Sequence, residues 1–156
     1  MNPKEYLVKN KNINRGYRNL EVWNEAVDLY SFISNEILEK INNVSFKVKA
    51  QIEDSIFSVS SNIAEGYCRR SLKENIQFIN IALGSLGENY SQIFTLFNAR
   101  KINEEIFAEF DKKHYCLENK LINFNKSMVE KLANDPAWKN DYLVREMVEQ
   151  YGIEQK

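Results

Sequence analysis

The chain has 156 residues, of which 44% are hydrophobic and 28% charged, with a formal net charge of −1. This length supports one domain and buries about 68–70% of the unfolded surface, so no metal or disulfide staple is needed. No apolar run approaches the ~18 residues of a membrane span. The opening MNPKEYLVKN lacks the apolar core of a secretory signal, so the expectation is a cytoplasmic protein with no membrane partner.

Cys68 and Cys116 lie far apart and form no CxxC pair, which reads as two reduced thiols. Five glycines and two prolines favour helices over a turn-rich β fold.

The N-terminal residues form a basic arm. Residues 1–19 hold Lys4, Lys9, Lys11, Arg15 and Arg18 against Glu5, a net of +4, which leaves −5 for the rest. Such an arm either seeks phosphate or is a solvated, disordered leader. A first helix is predicted over 19–41, because Trp23, Ala26, Val27, Tyr30, Ile33, Ile37 and Ile41 recur every three or four residues. Asn42-Asn43 ends it. Ser45 is a natural N-cap for a second helix, with Val48, Ile52, Ile56, Val59 and Ile63 as its apolar stripe. Gly66 suits the left-handed residue that closes such a helix.

Ser71-Leu72-Lys73-Glu74 fits a capping box at the start of a third helix. Leu72, Ile76, Ile79, Leu83, Leu86, Tyr90, Ile93 and Phe97 then alternate steps of four and three, a bundle seam. A fourth helix starts at Asn103, with Glu104 and Glu105 where its dipole favours acids. It carries Ile106, Phe110, Leu117, Leu121, Phe124 and Met128 to a stop at Asp135-Pro136. A short fifth segment over 141–151 places Val144, Met147, Val148 and Tyr151 on one side. The expected fold is therefore all-α: an antiparallel up-down-up-down four-helix bundle over 17–134. A basic arm precedes it at 1–16, and an extension with a short helix follows at 135–156.

The stretch SVSSNIAEG (58–66) has the letters of an active site. On a helix, Gln51, Ser55, Ser58, Asn62 and Glu65 form one polar stripe beside the apolar one, and Gly84, Ser85 and Glu88 face it from the third helix. A nucleophilic serine needs an adjacent base, yet the one histidine is His114, on the fourth helix. Asp111-x-x-His114 is a single, weaker variant of the paired Glu-x-x-His motif of bundle metal sites. The expectation is no catalytic residue, no metal and no cofactor, with the stripe a structural polar seam that fixes helix register or specifies an oligomer. His114 reads as a surface or edge residue and Cys68 as packing.

The runs YRNLEVWNEA (17–26), SVSSNIAEG (58–66) and IALGSLGE (81–88), with Gln51, Arg70 and Ser71, resemble a bacterial family. These are the four-helix-bundle proteins encoded in intervening sequences of 23S rRNA genes, related to accessory variability proteins of diversity-generating retroelements. The resemblance covers about residues 17–128. It implies an antiparallel four-helix bundle, commonly a ring-shaped homopentamer, with no established enzymatic activity. Members of the retroelement group assist a reverse transcriptase and bind nucleic acid through basic surfaces. This chain departs from the pattern in three places. Glu53-Asp54 stands where two basic residues often follow the glutamine of helix two. Val44-Ser45-Phe46 replaces a proline-containing loop. The tail beyond Asp135 is extra, and suggests a further contact, such as one onto a neighbouring subunit.

In an up-down bundle the start of helix one, the end of helix two and the end of helix four share one end. That end gathers Lys9, Lys11, Arg15, Arg18, Tyr67, Arg69, Arg70 and Lys73, with Lys126 and Lys131 nearby. Basic groups around an aromatic suit phosphate contact and base stacking. The functional reading is a non-enzymatic, oligomeric accessory module that contacts RNA, or a nucleic-acid-processing protein, through this basic end. The alternative is a protein-interaction scaffold, favoured by apolar residues off the seams: Phe57, Phe78, Phe94, Leu96 and Phe107.

Overall fold

The computed structural model describes residues 2–138 and 141–154. The described residues are helical with no strand. They comprise α1 (Pro3–Tyr6), a 3-10 helix (Ile13–Asn19), α2 (Glu21–Phe32) running into a π-helix (Ile33–Leu38), α3 (Phe46–Cys68), α4 (Leu72–Asn98), α5 (Glu104–Ala133), a 3-10 turn (Pro136–Trp138) and α6 (Tyr142–Gln150). No helix among them is long and apolar enough to cross a membrane.

Capping chemistry sets most boundaries. Ser45, Ser71 and Asn103 each accept a backbone N–H three residues on, at 3.3, 3.3 and 2.8 Å, which satisfies donors that the first turn leaves orphaned. The first helix departs from its prediction. It begins at Glu21, and its end widens into π winding, with Glu39 N donating to Ser34 O five residues back at 3.0 Å. Ile33, Ile37 and Ile41 stay buried. Lys49 closes the end from α3, donating to the carbonyls of Leu38 and Ile41 at 3.0 and 2.9 Å. Asn43 turns the chain at φ 56°.

Gly66 does not end its helix. It sits inside α3, and the left-handed residue is Arg70, at φ 56°. A Cβ on Gly66 would fall 2.7 Å from Asn75 Oδ1 and 2.8 Å from Phe78 Cβ, so this glycine is where α3 and α4 approach closely. Gly84, expected to face the polar stripe of α3, is exposed with open space where its Cβ would be.

α3 packs against α2 and α4, α5 packs against α4 and α2, and α6 lies on α5. Ile52, Ile56, Val59, Ile63, Ile76, Ile79, Leu86, Ile93, Phe110, Leu117 and Leu121 form the centre of the core, each contributing about 1.5–3 kcal/mol on full burial. Leu96, counted as an off-seam residue, belongs to this core, and Phe107 stacks on Phe97 at 4.1 Å. Phe57 and Phe94 remain exposed. The short helix at 141–151 forms as α6 and turns Val144 and Val148 inward against its own chain.

Candidate nucleic-acid interface and the polar seam

The basic arm is tied together by its own hydrogen bonds, while Lys4, Lys9, Lys11 and Arg15 stay exposed. Arg18 pins it, donating to the carbonyls of Tyr6, Lys9 and Asn10 at 3.0, 2.8 and 3.3 Å. Arg15 adds a bond to Asn10 O at 3.1 Å, and Asn10 takes a left-handed backbone, φ 48°, to present these oxygens. The arm's 3-10 helix then docks on the last turns of α3. Tyr17 and Tyr67 meet edge-on at 6.3 Å, Cys68 Sγ donates to Asn14 O at 3.2 Å, and the Tyr67 hydroxyl fills the space where a Gly16 Cβ would be.

This docking leaves a groove of about 420 Å³ lined by Ile13, Gly66, Tyr67, Arg70, Ser71, Leu72 and Asn75. The structure thus brings Tyr67 and Arg70 beside the arm, with exposed Lys11 two residues before Ile13. Other members of the predicted patch have protein partners. Arg69 binds Glu65 at 2.8 Å, lies 4.0 Å from Glu74, and stacks over Phe78 at 5.3 Å; the Glu65 hydrogen bond and charge raise its pKa. Lys73 binds Asp141 at 2.9 Å. Lys9 stands over the Tyr6 ring at 5.3 Å. Arg18 is half-buried and turned onto the arm's own backbone, so it acts as a fastener rather than as a contact.

SVSSNIAEG lies on the α3–α4 contact. Ser58 Oγ and Ser85 Oγ are hydrogen-bonded at 3.0 Å, and Asn62 Nδ2 donates to Ser58 O and Oγ at 2.8 and 2.9 Å. Ser55 Oγ shares its proton between Ile52 O and Gln92 Oε1, at 2.9 and 2.8 Å. Asn89, in α4, donates to Ser55 Oγ at 3.0 Å and to Ile52 O at 3.3 Å. Asn89 and Gln92 were not anticipated, because Asn89 interrupts an apolar stripe. Four expected members make no bond of their own between α3 and α4. Asn62 reaches only Ser58 within α3. Gln51 is exposed, Glu65 accepts from Arg69 within α3, and Glu88 accepts from Gln92 within α4 at 3.2 Å. Glu53 accepts from Tyr30 of α2 at 2.8 Å, which raises the tyrosine's pKa.

His114 is not at the surface. It is 2% exposed, and its Nε2 donates to Leu86 O at 2.8 Å. Burial pushes its pKa down, opposed by that bond and by the charges of Glu118 and Asp111. The ring packs against Tyr90 and Phe110 at 5.1 and 5.4 Å. A neutral imidazole with its N–H tied to a backbone carbonyl is a packing residue with a satisfied donor. Burial also raises the Tyr90 pKa, with the hydrogen bond that its hydroxyl donates to Asp111 second. On the far side, Lys120 pairs with Glu21 and Glu25, and that pairing raises its pKa. Among the described residues no group of three His, Cys, Asp or Glu side chains could hold a metal ion.

The family description "23S rRNA-intervening sequence protein" matches residues 18–123, and the chain belongs to that family. Residues 124–156, which include α6, lie outside the match. A comparison with curated proteins finds no match.

Proposed function

From membership of the 23S rRNA-intervening sequence protein family, we propose that this chain is a cytoplasmic, non-enzymatic accessory module that contacts RNA through its basic end. The observation that carries the reading is the groove where the arm meets the α3–α4 turn. Tyr67 offers a ring, Arg70 a guanidinium, and the first residues of α4 backbone N–H groups at a positive helix end. In this reading the long helices run up-down-up-down over 17–134, with the arm at 1–16 and the extension at 135–156. The arm is then carried to the same end as Arg70 and Lys131.

Arg70→Gly tests it. The change removes the charge and relaxes a left-handed backbone, so lost binding is not lost folding. In fluorescence anisotropy with a labelled RNA hairpin at low salt, Arg70→Gly paired with Lys11→Glu should weaken binding at least tenfold. Unchanged affinity contradicts the site.

The second reading, a self-associating scaffold, is favoured by Phe46 and Phe57, 85% and 59% exposed on α3. A subunit contact on this face of α3 would take both rings out of water. A ring pentamer of the kind the family resemblance implies would present one basic groove per subunit, so weak single contacts add by avidity. Phe57→Glu should lower the mass measured by sedimentation; an unchanged mass contradicts this reading.

A further inference from the structure

The segment beyond the family match folds back against the basic end. α6 docks on α5 through buried Val144 and Val148. Its first turn is organised by Asp141, which does two things at once. Oδ1 accepts the Val144 N–H at 3.2 Å and caps α6, while Oδ2 holds Lys73 Nζ at 2.9 Å. Lys73 sits in the first turn of α4, next to Ser71 and Leu72 of the groove.

We propose that α6 and its cap, residues 141–151, form an autoinhibitory latch: the Asp141 carboxylate occupies Lys73 in the place of an RNA phosphate, and RNA binding releases α6. The inference rests on the basic-end reading above. Three observations favour a segment that lets go. α6 has nine residues, fewer than the ~12–15 that make an isolated helix even marginal, so it is helical because it is docked. The docked state is imperfectly satisfied. Asn125 donates to the Tyr151 hydroxyl and to Asn80 Oδ1, both at 2.8 Å, but its own Oδ1 is buried without a partner. And an RNA phosphodiester carries the same single charge on two free oxygens as a carboxylate does, so it can take the carboxylate's place on an ammonium group. Coupling of this kind is reciprocal. A docked tail weakens RNA binding by the factor by which bound RNA loosens the tail.

Asp141→Asn is the discriminating variant, since asparagine keeps the helix cap and drops the charge on Lys73. Glu146→Gln, on the exposed side of α6, makes the same change in net charge away from Lys73. With the labelled RNA hairpin at low salt, Asp141→Asn should bind at least about fivefold tighter than wild type, and Glu146→Gln less than twofold tighter. Hydrogen exchange of the 142–150 amides in the wild type should quicken when the RNA is added. If wild type and Asp141→Asn bind RNA equally and tail exchange does not move, the latch is overturned while the basic-end reading stands. If neither binds at low salt, the basic-end reading falls and the latch with it.

Discussion

The two faces of α4 solve the same packing problem with different chemistry. Toward α3 it presents Ser85, Asn89 and Gln92, which join Ser55, Ser58 and Asn62 in a neutral hydrogen-bonded network. Toward α5 it presents Tyr90, Phe94 and Phe97, which join Phe107, Phe110 and His114 in a run of touching rings. The first face lets backbones approach closely and fixes register by directional bonds. The second fills volume and carries the energy of large apolar area. Residues that look catalytic on the α3 side are therefore hydrogen-bonded to one another along and across the α3–α4 contact. On the α5 side, the imidazole of His114 is a packing ring whose burial gives the fold a pH dependence.

Substitutions separate the faces by magnitude. Phe110→Ala should cost the most, about 3–5 kcal/mol in denaturant unfolding, because it empties the centre of the ring cluster; a loss under 1 kcal/mol breaks the contrast. Gly66→Ala should cost about 1–3 kcal/mol, since the methyl group meets Asn75 and Phe78 with nowhere to go. A neutral result there would mean that the helices part at no cost.

His114 supplies the pH arm of the comparison. Its pKa in the fold lies below the unfolded value of about 6.5, so the unfolded chain takes up the proton first. Stability should fall as pH drops below about 6.5, by up to about 1.4 kcal/mol per pH unit, until the folded histidine itself titrates. His114→Gln should flatten this stretch of the stability curve, whereas no variant of the neutral α3 seam should alter its slope. Smallest is Asn62→Leu, which removes two bonds to Ser58 on a half-buried site and should cost about 1 kcal/mol. An equally stable variant with the same mass removes the register role.

Much of this was legible in the sequence. Ser45, Ser71 and Asn103 announce their helices by local hydrogen-bond chemistry, which needs no tertiary context. The isoleucines of α3 and α4 announce their faces by period. Gly66 was misread because a glycine near a helix end serves equally as a left-handed terminator or as a place for a neighbour to touch, and only the position of α4 decides. Arg70 then carries a backbone conformation that no sequence rule assigns to arginine. His114, Asn89 and Asn125 were missed as buried for a common reason: each interrupts an apolar stripe, and the partner to which its N–H donates lies 26 to 45 residues away. At the basic end the charges were visible, but their occupancy was not. Arg18 fastens the arm, Arg69 and Lys73 hold carboxylates, and Arg70 lines the groove.

The central claim is that this groove takes RNA by charge, and the direct measurement is anisotropy of a labelled RNA hairpin across a salt series. The account predicts tight binding at low salt and a straight fall of log affinity with log salt, by about 0.7–0.9 per phosphate neutralised, with a shallower slope for Arg70→Gly. Affinity that ignores salt, or no binding at the lowest salt, contradicts it.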